Sequence, residues 1–160
     1  MKKLNEAMLS LSELRELLEH IEAGRCPAAM SGLDGVHRAL FAAALHAQTQ
    51  RPLCVICADE QEAARMADDL RALTRGEVVT LTAREWQLRE RVSASHEFEQ
   101  QRSGALGALA AGKGEVLVAT VDALVQRTLP QSAMRDAMLS LKLGGEYDLD
   151  EVTAKLVAAG

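Results

Sequence analysis

Apolar residues recur along this chain in two rhythms, a three-to-four-residue period and short unbroken runs. Leu11, Leu14, Leu17, Leu18 and Ile21 form the stripe of an amphipathic helix predicted over Leu4–Glu22, and Gly24 is its stop. Ala28–Met30 reads as a short first strand. Val36, Ala39, Leu40, Ala43 and Ala47 return at helical spacing, with Phe41 and Leu45 on another side, so this helix is expected to be buried on most faces. Leu53–Cys57 is apolar without alternation, the mark of a parallel strand covered on both sides. A helix from Gln61 to Leu73 follows, with Ala63, Met66, Ala67 and Leu70 inward. Val78–Leu81 and Val116–Ala119 are further strands. Between them His96–Ala111 reads as a helix whose Gly104, Gly107, Ala108 and Ala111 make a small-residue face for close packing. Strands alternating with helices predict an α/β fold, a parallel sheet flanked by helices.

After Pro130 the pattern changes. Ser132–Ala137 is a short helix or turn, and Leu139–Leu143 alternates with period two, as a half-exposed edge strand does. Gly144-Gly145 turns the chain, and Asp148 is placed to cap a last helix running to Ala159. This final strand–helix pair is too short to bury a core of its own. Residues 1–130 are therefore expected to form a first lobe, and 131–160 the beginning of a second, truncated domain.

Composition narrows the function classes. At 160 residues and 48% apolar content the chain can bury a sizeable core, but aromatics make up only 2%, so alanine, leucine and valine must build it. A net charge of −5 argues against nonspecific affinity for nucleic acid or anionic membrane. Leu4-Asn5-Glu6 interrupts any apolar leader after Lys2 and Lys3, and no run approaches the length of a membrane span, so a cytoplasmic protein is expected. Cys26, Cys54 and Cys57 are an odd set that suits no disulfide framework. Cys54 and Cys57 have C-x-x-C spacing but fall on a strand, where residues three apart face opposite sides, so both read as small core residues. No second such pair or histidine pair completes a zinc site, and no metal is expected.

One stretch carries candidate chemistry. Ser31-Gly32-Leu33-Asp34-Gly35-Val36-His37-Arg38-Ala39 stands where a phosphate-binding P-loop, G-x-x-x-x-G-K-[ST], would stand between strand and helix. Gly32 starts the spacing correctly. His37 then replaces the second glycine, whose lack of a Cβ lets backbone N–H groups wrap a phosphate. Arg38 replaces the lysine, and its planar fork is no substitute for a compact ammonium. Ala39 replaces the hydroxyl that would bind magnesium, and Asp34 adds a carboxylate that repels phosphate. The loop is therefore read as a degenerate P-loop with no cofactor, in which Gly32 and Gly35 serve a backbone geometry with positive φ. Asp59-Glu60 after the second strand imitates a Walker B ending, but Asp59 with Glu62 also makes a capping box, the better reading where no working P-loop exists.

The degenerate loop, the strand–helix alternation and several local stretches together resemble the N-terminal, UvrB-like module of bacterial transcription-repair coupling factors (the Mfd family). The stretches are Gly24-Arg-Cys-Pro27, Ser31–Arg38, Thr82-Ala-Arg84-Glu85-Trp86 through Glu99-Gln-Gln-Arg102, Ala119–Thr128 and Gly145–Glu151. The resemblance implies a first lobe of P-loop NTPase or helicase-lobe type ending near Pro130. It also implies the start of an inserted domain that binds the excision-nuclease subunit UvrA. The translocase motor and the polymerase-binding domain of that family would lie elsewhere in a longer protein. UvrB threads DNA under a tyrosine-bearing hairpin, whereas Arg84–Ser95 here is short, lacks tyrosine and mixes Arg84, Glu85, Arg89, Glu90 and Arg91. It reads as a solvated face, with Trp86 a packing anchor. The expected function is that of a non-catalytic module recruiting nucleotide excision repair to stalled RNA polymerase. The alternative is a small P-loop-type ATP-binding helicase lobe or nucleotide-binding enzyme.

Overall fold

The computed structural model describes residues 7–84 and 96–159. In chain order their elements are α1 (Ser12–Glu22), α2 (Gly35–Thr49), β1 (Leu53–Cys57), α3 (Glu60–Leu73), β2 (Val78–Leu81), α4 (His96–Ala110), β3 (Val116–Thr120), α5 (Val121–Val125), α6 (Gln131–Ala137) and α7 (Leu149–Ala159). β3 lies between β1 and β2 and runs parallel to both, and Val116 faces Leu53 on one side and Val78 on the other. Parallel pairing is what the helical crossovers α3 and α4 impose, since a tight turn can join only antiparallel strands.

The sheet separates two apolar layers. On one face Cys57, Val116 and Val118 meet Ala39 and Ala43 of α2 and Ala63, Met66, Ala67 and Leu70 of α3. On the other, Val79, Leu81 and Ala119 meet Ala105 of α4 and Ala123 of α5. The far side of α2 packs Phe41 and Ala44 against Leu14 of α1, so α2 is apolar on two sides, as its sequence predicts. Alanines at these contacts let helix and sheet backbones approach closely, which suits a core almost without aromatic rings.

Helix ends follow local chemistry. Gly24, at φ +67°, ends α1, with Arg25 N–H donating to the carbonyl of His20 (2.8 Å) and Gly24 N–H to that of Ile21 (3.1 Å). This is the two-bond Schellman stop. Gly112, at φ +73°, ends α4 in the same way, through Gly112 N–H to Leu109 and Lys113 N–H to Ala108. Asp148 accepts from the Asp150 N–H (2.8 Å) at the start of α7.

Four expectations are corrected. Ala28–Met30 forms no strand and is exposed, because a strand requires a neighbour for its N–H and C=O groups and none adjoins it among the described residues. Leu139–Leu143 is likewise irregular despite its alternation, with Leu141 and Leu143 exposed for want of a sheet to face. The helix expected over Leu4–Glu22 is broken at Ser10 and Leu11. There the Ser10 hydroxyl and N–H both bond the Ala7 carbonyl, and Leu11 turns extended. Finally, only part of the expected small-residue face of α4 packs. Gly107 is buried and Ala108 half-buried, but Gly104 and Ala111 are exposed, and Arg102, Ala105 and Ala110 complete the buried side.

Candidate functional site

In parallel α/β sheets, ligands bind outside the carboxyl ends of the strands, so the chemistry of this edge decides what the domain can do. The loop from Ser31 to Ala39 feeds α2 beside it. Gly32 takes φ +83°, as the reading of a backbone glycine requires, but Gly35 is simply the first residue of α2 with ordinary negative φ. The expectation of positive φ at Gly35 is thereby corrected. Asp34 occupies the N-cap position of α2 without a side-chain cap bond. Its carboxylate instead meets Nδ1 of His37 at 2.5 Å, and that hydrogen bond, with the charge of His37, holds the Asp34 carboxyl below its ordinary range.

Arg38 reaches across to α3, where Nη1 donates to Oε1 of Glu62 at 2.5 Å. The other oxygen of Glu62 accepts the Ala58 N–H (2.9 Å), and Asp59 Oδ1 accepts the Glu62 N–H (2.7 Å). The capping box is therefore present, with its return bond made one residue earlier than the usual form. Ala39 is fully buried between α2 and α3. The side chain standing where a magnesium-binding hydroxyl would be faces the core.

The remainder of the edge is similarly closed by protein groups. Glu60 Oε1 accepts from the Thr120 hydroxyl (3.0 Å) and the Ala83 N–H (3.1 Å), joining the carboxyl ends of β3 and β2. Arg102, 2% exposed, donates from Nη1 to the Thr82 carbonyl at 2.5 Å and from Nη2 to the Ala123 carbonyl at 3.2 Å. Burial, and then the charge of Arg84, lower its pKa. The Gln126 amide pairs both ways with the backbone of Arg84, at 2.8 and 3.1 Å, and Arg84 Nε lies 3.2 Å from Glu99 Oε1. Sequence reasoning missed this network. Its one signal was an arginine at i, i+3 and i+7 with Ala105 and Leu109, on the apolar side of a helix.

The site residues thus fall into three groups. Arg38 is brought to Glu62, Asp34 and His37 bind each other, and Gly32, Gly35 and Ala39 serve the backbone and core. Cys57 is buried as expected, but the reading of Cys54 as a core residue is corrected, since it is exposed on the opposite face of β1. Burial raises both thiols, and for Cys57 the Glu62 carboxylate adds to it, the reverse of what a redox cysteine needs. No group of three His, Cys, Asp or Glu side chains gathers to hold a metal among the described residues. No helix among them is long and apolar enough to cross a membrane. The expected solvated face over Arg84–Ser95, and Trp86 within it, lie outside the described residues except for Arg84.

No protein-family model matches the chain. It is 25% identical over 149 residues to the transcription-repair-coupling factor of Bacillus subtilis and 29% identical over 153 residues to that of Myxococcus xanthus. It is also 25% identical over 158 residues to UvrABC system protein B of Micrococcus luteus. These alignments cover 90–92% of this chain but only 13% of the two coupling factors and 22% of the B protein. Along nine-tenths of its length, then, the chain is similar both to coupling factors and to UvrB, as the UvrB-like N-terminal module of a transcription-repair coupling factor would be.

Proposed function

We propose that this chain is a non-catalytic interaction module of cytoplasmic, transcription-coupled nucleotide excision repair. In this reading it is built on a helicase-type lobe whose P-loop no longer takes nucleotide, and it helps to present a surface for UvrA. The observation that carries the reading is the Arg38–Glu62 pair. The only cation in the lysine position of the loop is held by a carboxylate of α3, while the metal-binding position is a buried alanine. A triphosphate would have to displace Glu62 from Arg38, without magnesium to share its charge. The reading places the start of the UvrA-facing domain after Pro130. Residues 131–160 number about as many as one side of a standard interface of roughly 800 Å² uses, and part of them must fold inward.

Titration calorimetry with Mg·ATP at up to about 1 mM is expected to show no saturable heat, and pull-down with UvrA to show weak retention. A longer chain extended through the region that follows in the relatives is expected to retain UvrA firmly. Micromolar ATP binding would overturn the reading in favour of a nucleotide-binding lobe. Equal retention by the short and long chains would move the UvrA surface into the first lobe.

A further inference from the structure

Where the strands begin, one histidine joins three segments. His46 lies in the last turn of α2, and its carbonyl accepts the N–H of Gln50, whose left-handed φ of 53° turns the chain toward β1. The ring reaches further. Nδ1 lies 2.9 Å from the carbonyl oxygen of Arg51, ahead of β1, and Nε2 lies 3.3 Å from Oε2 of Glu115, ahead of β3. Glu115 also accepts the Leu53 N–H through its own carbonyl at 2.9 Å, so its side chain meets α2 and its backbone β1. Its carboxylate rests over Gly76, ahead of β2, where an added Cβ would collide with it.

A carbonyl and a carboxylate can only accept hydrogen bonds. A neutral imidazole has one N–H to give, and only the imidazolium has two. The neutral ring therefore keeps the shorter bond to Arg51 and turns a lone pair on Nε2 toward the carboxylate. The end of a helix favours the cation as well. The charged residues on the segments that meet here are Arg51, Arg75, Glu77, Lys113 and Glu115, and the last two turns of α2 carry no other. Of these, Glu115 alone pairs with the ring among the described residues. The His46 side chain is 13% exposed and that of Glu115 64%, so the ring is fixed and the carboxylate is the arm free to leave.

We infer that His46 is a proton-operated latch on the amino edge of the sheet. Protonated, it fastens the end of α2 to the entries of both β1 and β3. Neutral, it holds the entry of β1 alone, and Glu115 turns to water. The latch is closed at lower pH and opens as pH rises through the range, about 5 to 8, in which histidine changes charge. Two substitutions fix it in either state. Glu115→Gln supplies an amide that donates to a bare Nε2 or accepts from its N–H, so the clasp survives at every pH. Gly76→Ala crowds the carboxylate off the ring, so the clasp stays open.

Carbon NMR of the glutamate-labelled chain reads the carboxylate directly between about pH 5.5 and 8, well above the range in which a carboxyl itself ordinarily titrates. The Glu115 signal is expected to move together with the His46 ring signals in the unmodified chain, and to be flat in His46→Asn and in Gly76→Ala. Urea unfolding over the same range gives the effect on the fold. Relative to Gly76→Ala, the folding equilibrium constant of the unmodified chain should rise about threefold from pH 8 to 5.5, the size of a largely exposed ion pair. That of Glu115→Gln should not change with pH on the same scale. A Glu115 signal flat across the range in the unmodified chain overturns the latch. So does a pH dependence of stability that Gly76→Ala shares in full, which would place the responsible proton on another group.

Discussion

Gly32 and Gly35 are three residues apart and look alike in sequence, yet only the first is under conformational constraint. Gly32 stands at φ +83°, where a side chain is strained whatever room surrounds it, while an added Cβ at Gly35 would meet open space within a helix. Gly32→Ala is expected to destabilise by roughly 1 kcal/mol, and Gly35→Ala to be neutral or stabilising by up to about 1 kcal/mol. Urea midpoints of the two variants check this, and the reverse order would refute it. At Asp34, the bond from His37 lowers the folded-state pKa from the ordinary 3.8. Its contribution is therefore complete above that value and disappears as pH falls through the lower folded one. The gap in melting temperature between the unmodified chain and Asp34→Asn should close on acidification from about pH 4.5 to 2.5. A gap independent of pH would dismiss the pair.

At the level of elements, ends and neighbours matter more than propensity. α4 is tied through Arg102, near its middle, to the chain after β2 and to α5. Its last turn is bound from outside, as Gln131 and Arg135 of α6 both donate to the Ala110 carbonyl, at 3.3 and 2.5 Å. Arg102→Met is expected to lose about 3 kcal/mol, because two carbonyls are stripped of a charged donor in a site water does not reach. Arg102→Lys should recover less than half of that, since an ammonium cannot span both acceptors as the guanidinium fork does. Chemical denaturation of the two variants decides it, and losses below about 1 kcal/mol would show the network to be incidental.

Over the whole molecule, packing is dense around the sheet and thin beyond Pro130. α7 keeps its Asp148 cap, but Leu149, Leu156 and Val157 are 77%, 58% and 76% exposed, and its principal contact among the described residues is with α6. Its amides should exchange faster than those of α2, whose Ala39, Phe41, Ala43 and Ala44 are buried on two fronts. Native-state hydrogen exchange gives the comparison directly, and equal protection would mean that α7 is held by contacts other than these.

The order of residues was enough for every element whose signal is local. The stripe Ala63-Met66-Ala67-Leu70, the Asp59–Glu62 cap and the glycine stop at Gly24 stand as read, because period, cap and left-handed turn are properties of a few adjacent residues. Leu53–Cys57 is the strand expected, though Cys54 and Ile56 leave one of its two faces uncovered among the described residues, since cover comes from distant residues. The proposed degeneracy of the loop at His37, Arg38 and Ala39 rests on residue chemistry alone. Partners distant in sequence were not legible in this way. Ala28–Met30 and Leu139–Leu143 have strand-like patterns but no neighbouring strand, and a ladder is a relation between two segments that neither encodes alone. Arg38 finds Glu62, Glu60 finds Thr120, and Arg102 finds Thr82 and Ala123 across separations of 20 to 60 residues. Those meetings exist only once the sheet has brought the carboxyl ends of its strands together, and they tie that edge together through the protein's own side chains.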